Sequence, residues 1–141
     1  MSDSADQKRP RILVTGGAGF IGSHTVVDLV ENGYEPILVD DFSNSDRGVI
    51  EGLAAICGRA LPCYEIGCRD KAGLEGVFEA AGPIQGVIHF AASKAVGESK
   101  EKPLLYWGNN IASLITLLEV MEDFGVQDLV FSSSCTVYGQ P

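Results

Sequence analysis

Val14-Thr15-Gly16-Gly17-Ala18-Gly19-Phe20-Ile21-Gly22-Ser23-His24-Thr25 is the stretch on which the reading of this 141-residue chain turns. A short apolar run breaks into glycines and then resumes in a helical pattern. Gly16, Gly19 and Gly22 recur at intervals of three, which lets the backbone turn sharply, approach a ligand closely and pack the next helix against the preceding strand. A helix that begins in this way aims its free N–H groups, and the positive end of its dipole, at whatever lies before it. That is a cradle for phosphate.

Outward from this stretch, strands and helices alternate. Arg11 to Thr15 is an apolar run of the kind a doubly buried parallel strand shows, and Ile21 to Asn32 carries apolar residues on one helical face before Gly33 stops it. Pro36 to Val39 predicts a second strand, Val49 to Cys57 a short helix, and Cys63 to Ile66 a third strand followed by a turn at Gly67 to Asp70. Lys71 to Ala81 is helical and is closed by Gly82-Pro83; Val87 to Phe90 is a fourth strand. Pro103 opens a long helical pattern to about Phe124, with Leu104, Ile111, Leu114, Ile115, Leu118 and Met121 as its apolar stripe, read as core or as a helix-pairing surface. Leu129 to Phe131 is a fifth strand. The alternation implies an α/β fold of Rossmann type, a three-layer sandwich with a parallel sheet of about five strands, over residues 11–141 behind a flexible tail at 1–10.

In such a sheet, ligands sit beyond the carboxyl ends of the strands. The expected strand ends carry Gly16 to Gly22, Asp40 to Ser45, Gly67 to Asp70, Phe90 to Lys94 and Ser132 to Ser134. Asp40 lies 24 positions after Gly16 and 18 after Gly22, where a dinucleotide-binding unit places the carboxylate that receives the ribose hydroxyls.

Charge and composition narrow the partners. A net charge of -9 repels polyanions, so nucleic acid is not expected, and a phosphate ligand must be held by backbone amides and helix ends. The cysteines Cys57, Cys63, Cys68 and Cys135 lack CxxC spacing, and neither His24 nor His89 stands near a second ligand at a metal-site interval. No metal is expected, and the thiols read as free in a reducing compartment. The polar start, Met1 to Pro10, has no apolar core of a signal peptide, and no apolar run approaches the ~20 residues of a membrane span. The expectation is a cytoplasmic protein. His89, inside an apolar strand, reads as a satisfied core histidine.

The strings TGGAGFIGSHT, VDDFSNS, VIHFAASKAVGES, KPLLYWGNN and FSSSCTVYG together resemble the extended short-chain dehydrogenase/reductase superfamily, and within it the UDP-glucose 4-epimerase family. The resemblance implies an NAD-dependent isomerase that interconverts UDP-galactose and UDP-glucose through a transient 4-keto sugar, NAD being reduced and reoxidised in place. It implies that Gly16, Gly19, Phe20, Ile21 and Gly22 surround the NAD pyrophosphate and that Asp40 binds the ribose. Asp41, Asn44 and Ser45 would contact the adenosine half and its phosphates, and Cys68 the adenine edge. Phe90, Ala91, Ala92 and Lys94 would lie beside the nicotinamide ribose, with Asn109 reaching in from the long helix. Ser134 would be the catalytic serine on the sugar hydroxyl. The partners implied are a UDP-sugar substrate and, for the parent protein, a second copy in a homodimer.

Two departures accompany the resemblance. Gly67 stands where the family usually has an aspartate against the adenine amino group. The family's Tyr-x-x-x-Lys pair, its general base, is expected some two dozen residues past the serine segment, beyond Pro141, so the resemblance implies the N-terminal portion of a longer enzyme, inactive by itself. Cys135-Thr136 stands where related dehydratases carry an acidic pair. Other readings stay open at this point: a dinucleotide-binding module without catalysis, a scaffold that binds nothing, or another nucleotide-sugar enzyme such as a dehydratase or decarboxylase.

Overall fold

The computed structural model describes residues 9–92, 100–133 and 138–139. Five strands, β1 (Arg11–Thr15), β2 (Glu35–Asp40), β3 (Cys63–Glu65), β4 (Gly86–His89) and β5 (Asp128–Phe131), form one parallel sheet in the order β3-β2-β1-β4-β5. The register pairs Leu13 with Ile37 on one side and with Val87 on the other. The chain winds outward from β1 to β3, returns, and continues on the far side with β4. The strand order therefore reverses beside β1, and a crevice opens there at the carboxyl ends.

The helices are α1 (Phe20–Glu31), α2 (Gly48–Cys57), α3 (Lys71–Ala81), α4 (Pro103–Trp107) and α5 (Ser113–Asp123), with a π-helical segment, Gly108–Ala112, joining the last two. Strand alternation sorts the core into two halves. Leu13, Ile37, Val39 and Val87 face α3 and α5 and pack with Leu74, Phe78, Leu117 and Met121. Val14 and Leu38, one residue out of step, face α1 and α2 and pack with Val26 and Leu53. Two helical layers thus cover one sheet, as the apolar runs predict.

The expected elements agree with the observed ones to within a residue or two, with one correction. The pattern from Pro103 to about Phe124 is not a single α-helix: the π segment shifts the backbone register in its middle. The buried face of α5 is Ser113, Leu117, Val120 and Met121, whereas Leu104, Ile111, Ile115 and Leu118 of the expected stripe are exposed. Met121 alone of that stripe is fully in the core, Leu114 is half-buried, and the other four form a second, outer apolar face. Tyr138 is 90% exposed. Among the described residues, no helix is long and apolar enough to cross a membrane.

Candidate ligand cavity at the strand ends

The glycine stretch folds as its spacing predicts. Gly16 has φ +68°, and a Cβ there would meet the Ala91 backbone nitrogen at 2.9 Å, so the end of β1 lies directly against the end of β4. A Cβ on Gly22 would lie 2.1 Å from the Gly16 carbonyl oxygen, closer than any real contact, so α1 sits on the loop at backbone distance. Gly19 caps α1 without a side chain to offer it, and the first-turn amides of Phe20, Ile21 and Gly22 are left for a ligand. Phe20, at 82% exposed, opens onto the same space.

Asp40 ends β2 and is buried. Its Oδ2 accepts the Ala18 amide at 3.0 Å, and its Oδ1 accepts the Phe42 amide at 2.9 Å and the Ser45 hydroxyl at 2.8 Å. One carboxylate thereby ties the glycine loop to the β2 turn. Next to it, Asp41 Oδ1 accepts both the amide and the hydroxyl of Ser43. Phe42 takes a positive φ of 55°, an unusual conformation for a bulky side chain, held by the Asp40 bond and by Arg47 lying over its ring at 5.0 Å. At the end of β3, Asp70 caps α3 by accepting the Gly73 amide.

These strand ends enclose a cavity of about 730 Å³. Among the described residues every expected cofactor contact lines it: Gly16, Gly19, Phe20, Ile21, Gly22, Asp40, Asp41, Asn44, Ser45, Cys68, Phe90, Ala91, Ala92 and Asn109. Lys94 and Ser134 lie outside the described residues, as does Cys135-Thr136. The cavity also takes in Ser43, Arg69, Tyr106 and Ser113, which sequence reasoning did not single out. Tyr106 and Ser113 flank Asn109 at helical intervals, and the polar Ser113 on an otherwise apolar buried face was the available signal. Arg69 passes close to Gly108, where a Cβ would stand 3.1 Å from its Nη1.

Two thiols near the cavity are inert. Burial pushes the Cys68 thiol up to about 12 and the Cys63 thiol up to about 11, with Asp40 adding to both, so neither is a thiolate at neutral pH. His89, fully buried at the end of β4, shares a 2.6 Å hydrogen bond through Nδ1 with the Thr15 hydroxyl and stacks on Phe131. It is the satisfied core histidine that its apolar strand predicts. Burial lowers its pKa from 6.5 to about 4. Below pH 6.5 the unfolded chain takes up a proton that the folded chain refuses. This contribution to stability is therefore whole above pH 6.5 and lost progressively as the pH falls towards 4, on the order of 3 kcal/mol in all. Denaturant unfolding across this window should show the decline, and His89→Gln should flatten it.

Residues 12–141 match the NAD dependent epimerase/dehydratase family. The chain is 50% identical over 131 residues to the UDP-glucose 4-epimerase of Dictyostelium discoideum, covering 93% of this chain and 38% of that protein. Against the UDP-glucose 4-epimerase of Bacillus subtilis it is 49% identical over 130 residues, covering 92% and 38%. Among solved structures, a UDP-glucose 4-epimerase from Stenotrophomonas maltophila with bound NAD and formylated UDP-arabinopyranose superposes with a TM-score of 0.88 at 46% identity, over 94% of this chain and 39% of that one. One from Bifidobacterium longum in complex with NAD+ and UDP gives 0.88 at 47%, over 93% and 39%. The chain thus spans less than two fifths of the length of these relatives.

Proposed function

This chain belongs to the NAD dependent epimerase/dehydratase family, and we propose that it is the NAD-binding part of a UDP-glucose 4-epimerase. The observation that carries the reading is the meeting, in one cavity, of the glycine-lined start of α1 and the buried Asp40. The fit to a dinucleotide is physical. A phosphate needs amides at backbone distance, and the missing Cβ atoms of Gly16 and Gly22 let the glycine loop, the end of β4 and the start of α1 pack closely enough to hold those amides at the cavity. In this reading the amides of Phe20, Ile21 and Gly22 hold the diphosphate. Asp40 receives the adenosine ribose hydroxyls, and its charge repels the 2'-phosphate of NADP.

Phe90 and Ala91, close against Gly16, and the adjoining Ala92 form the wall on the nicotinamide side, the side to which the resemblance assigns Lys94. Asn109 enters from the π segment, a kind of helix distortion often found at functional sites. NAD held by these residues would supply a reversible hydride acceptor for the sugar. Ser134 positions the sugar hydroxyl that loses its proton. A serine hydroxyl is too weak a base to remove that proton unaided, and no Tyr-x-x-x-Lys pair falls within these 141 residues. The UDP-sugar is the substrate of the longer parent protein, which pairs as a homodimer through the outer apolar face at Ile111, Ile115 and Leu118.

Calorimetric titration tests the reading. Saturable binding of NAD, with NADP weaker, is expected, together with no conversion of UDP-galactose by these 141 residues alone. Absence of saturable NAD binding overturns the reading, and turnover by the isolated chain overturns the placement of the base outside it.

A further inference from the structure

Neighbouring parallel strands lie about 4.8 Å apart, so the carboxyl ends of β1, β2 and β3 stand in a row along one side of the cavity. With a diphosphate over β1 and a ribose over β2, the base of the same nucleotide reaches the end of β3, at Gly67 and Cys68. This step rests on the dinucleotide reading above.

At that place the wall has no side chain of its own. Gly67 is bare, and the nearest atoms to a Cβ built there are Asp41 Oδ2 at 3.6 Å and Asp41 Cβ at 4.0 Å. Asp41 is fixed by its other oxygen: Oδ1 accepts the Ser43 amide at 2.9 Å and the Ser43 hydroxyl at 2.6 Å. Asp41 is an exposed residue of the cavity lining, and its Oδ2, beside Gly67, has no hydrogen bond among the described residues. A carboxylate oxygen accepts and does not donate, so the ligand atom that suits it is an N–H. Adenine offers one in its 6-amino group, whereas hypoxanthine and guanine present a carbonyl oxygen there, which a carboxylate repels.

We infer that Asp41 Oδ2, standing in the space left open by Gly67, accepts the 6-amino hydrogen of adenine and selects adenine over 6-oxopurines. The room at Gly67 is part of the device, because a large side chain at that position would displace either the base or the Asp41 carboxylate.

The test is titration of the protein with NAD and with its hypoxanthine analogue, nicotinamide hypoxanthine dinucleotide. A hydrogen bond to a charged group predicts a preference of about tenfold or more for NAD in the unaltered protein. Asp41→Ala should reduce that preference to less than about threefold, through weaker binding of NAD, tighter binding of the analogue, or both. A preference that persists in Asp41→Ala, or is absent from the unaltered protein, overturns the inference and leaves the dinucleotide reading standing. Failure of the unaltered protein to bind either dinucleotide overturns both. Should Asp41→Ala lose both ligands, Asp41→Ala/Gly67→Asp decides the matter, since it returns a carboxylate to the same space from the other wall. Recovery of NAD binding with preference over the analogue supports the inference, and recovery without preference, or none, overturns it.

Discussion

Gly22→Ala is expected to destabilise the fold by roughly 3 kcal/mol and to weaken NAD binding on the order of a hundredfold. A methyl group is all that is added, and helix propensity taken alone would favour the change. The geometry decides against it: the new Cβ would stand 2.1 Å from the Gly16 carbonyl oxygen and 3.0 Å from its carbon. Both are backbone atoms at the end of β1, so no side chain can swing aside. Either α1 lifts from the sheet, loosening the contacts of Val26 with Val14 and Leu38, or the loop from Gly16 to Gly19 deforms. In both cases the first-turn amides leave the position from which they hold the diphosphate. Gly52→Ala is the matched control. It lies within α2 with nothing inside 4 Å of its added Cβ, and it should stabilise by up to about 1 kcal/mol with NAD affinity unchanged. Thermal unfolding and NAD titration of the two variants give opposite signs if close approach, rather than glycine as such, is what matters at position 22.

The contrast between these glycines also shows what the sequence can and cannot reveal. The strands were legible because both faces of a parallel sheet are buried, so runs such as Ile12-Leu13-Val14 and Ile37-Leu38-Val39 are continuously apolar. Gly16, Gly19 and Gly22 were legible because their spacing encodes a backbone geometry. The break in the long helix was not. A π turn changes the hydrogen-bonding step without requiring a marker residue, and a periodicity reading carried through Gly108–Ala112 leaves the apolar stripe undivided between core and helix-pairing surface. Ile111, Ile115 and Leu118 keep their spacing yet face outward, because this helix is apolar on two sides. Arg69 belongs to the expected strand-end segment Gly67 to Asp70, but its approach to Gly108, 39 positions away, is a pairing that local pattern does not carry.

Asp40 joins the fold to the cofactor, and its replacement should separate two roles that sequence spacing treats as one. Spacing marks it as the ribose carboxylate. The structure adds that both oxygens already accept hydrogen bonds, from Ala18, Phe42 and Ser45, and that the side chain is buried. Asp40→Asn keeps the shape but turns an NH2 group towards one of these donors, whichever way the amide is set. A buried donor left facing a donor costs about 1 to 3 kcal/mol, so Asp40→Asn should unfold at lower denaturant by about that amount. The variant also lacks the charge that disfavours a 2'-phosphate. NAD should bind at least tenfold more weakly, while NADP loses less, and the ratio of the two affinities should move towards one. Ser45→Ala removes one of the three bonds without touching the carboxylate, and it should lower stability by about 1 kcal/mol with the NAD to NADP ratio preserved. If Ser45→Ala shifts that ratio as far as Asp40→Asn does, the preference comes from the shape of the β2 turn and the charge of Asp40 is not its cause. If the ratio follows the charge alone, Asp40 does two separable things. It fastens the glycine loop to β2 through Ala18, and it presents a negative charge where the ribose of NAD, but not the phosphorylated ribose of NADP, fits.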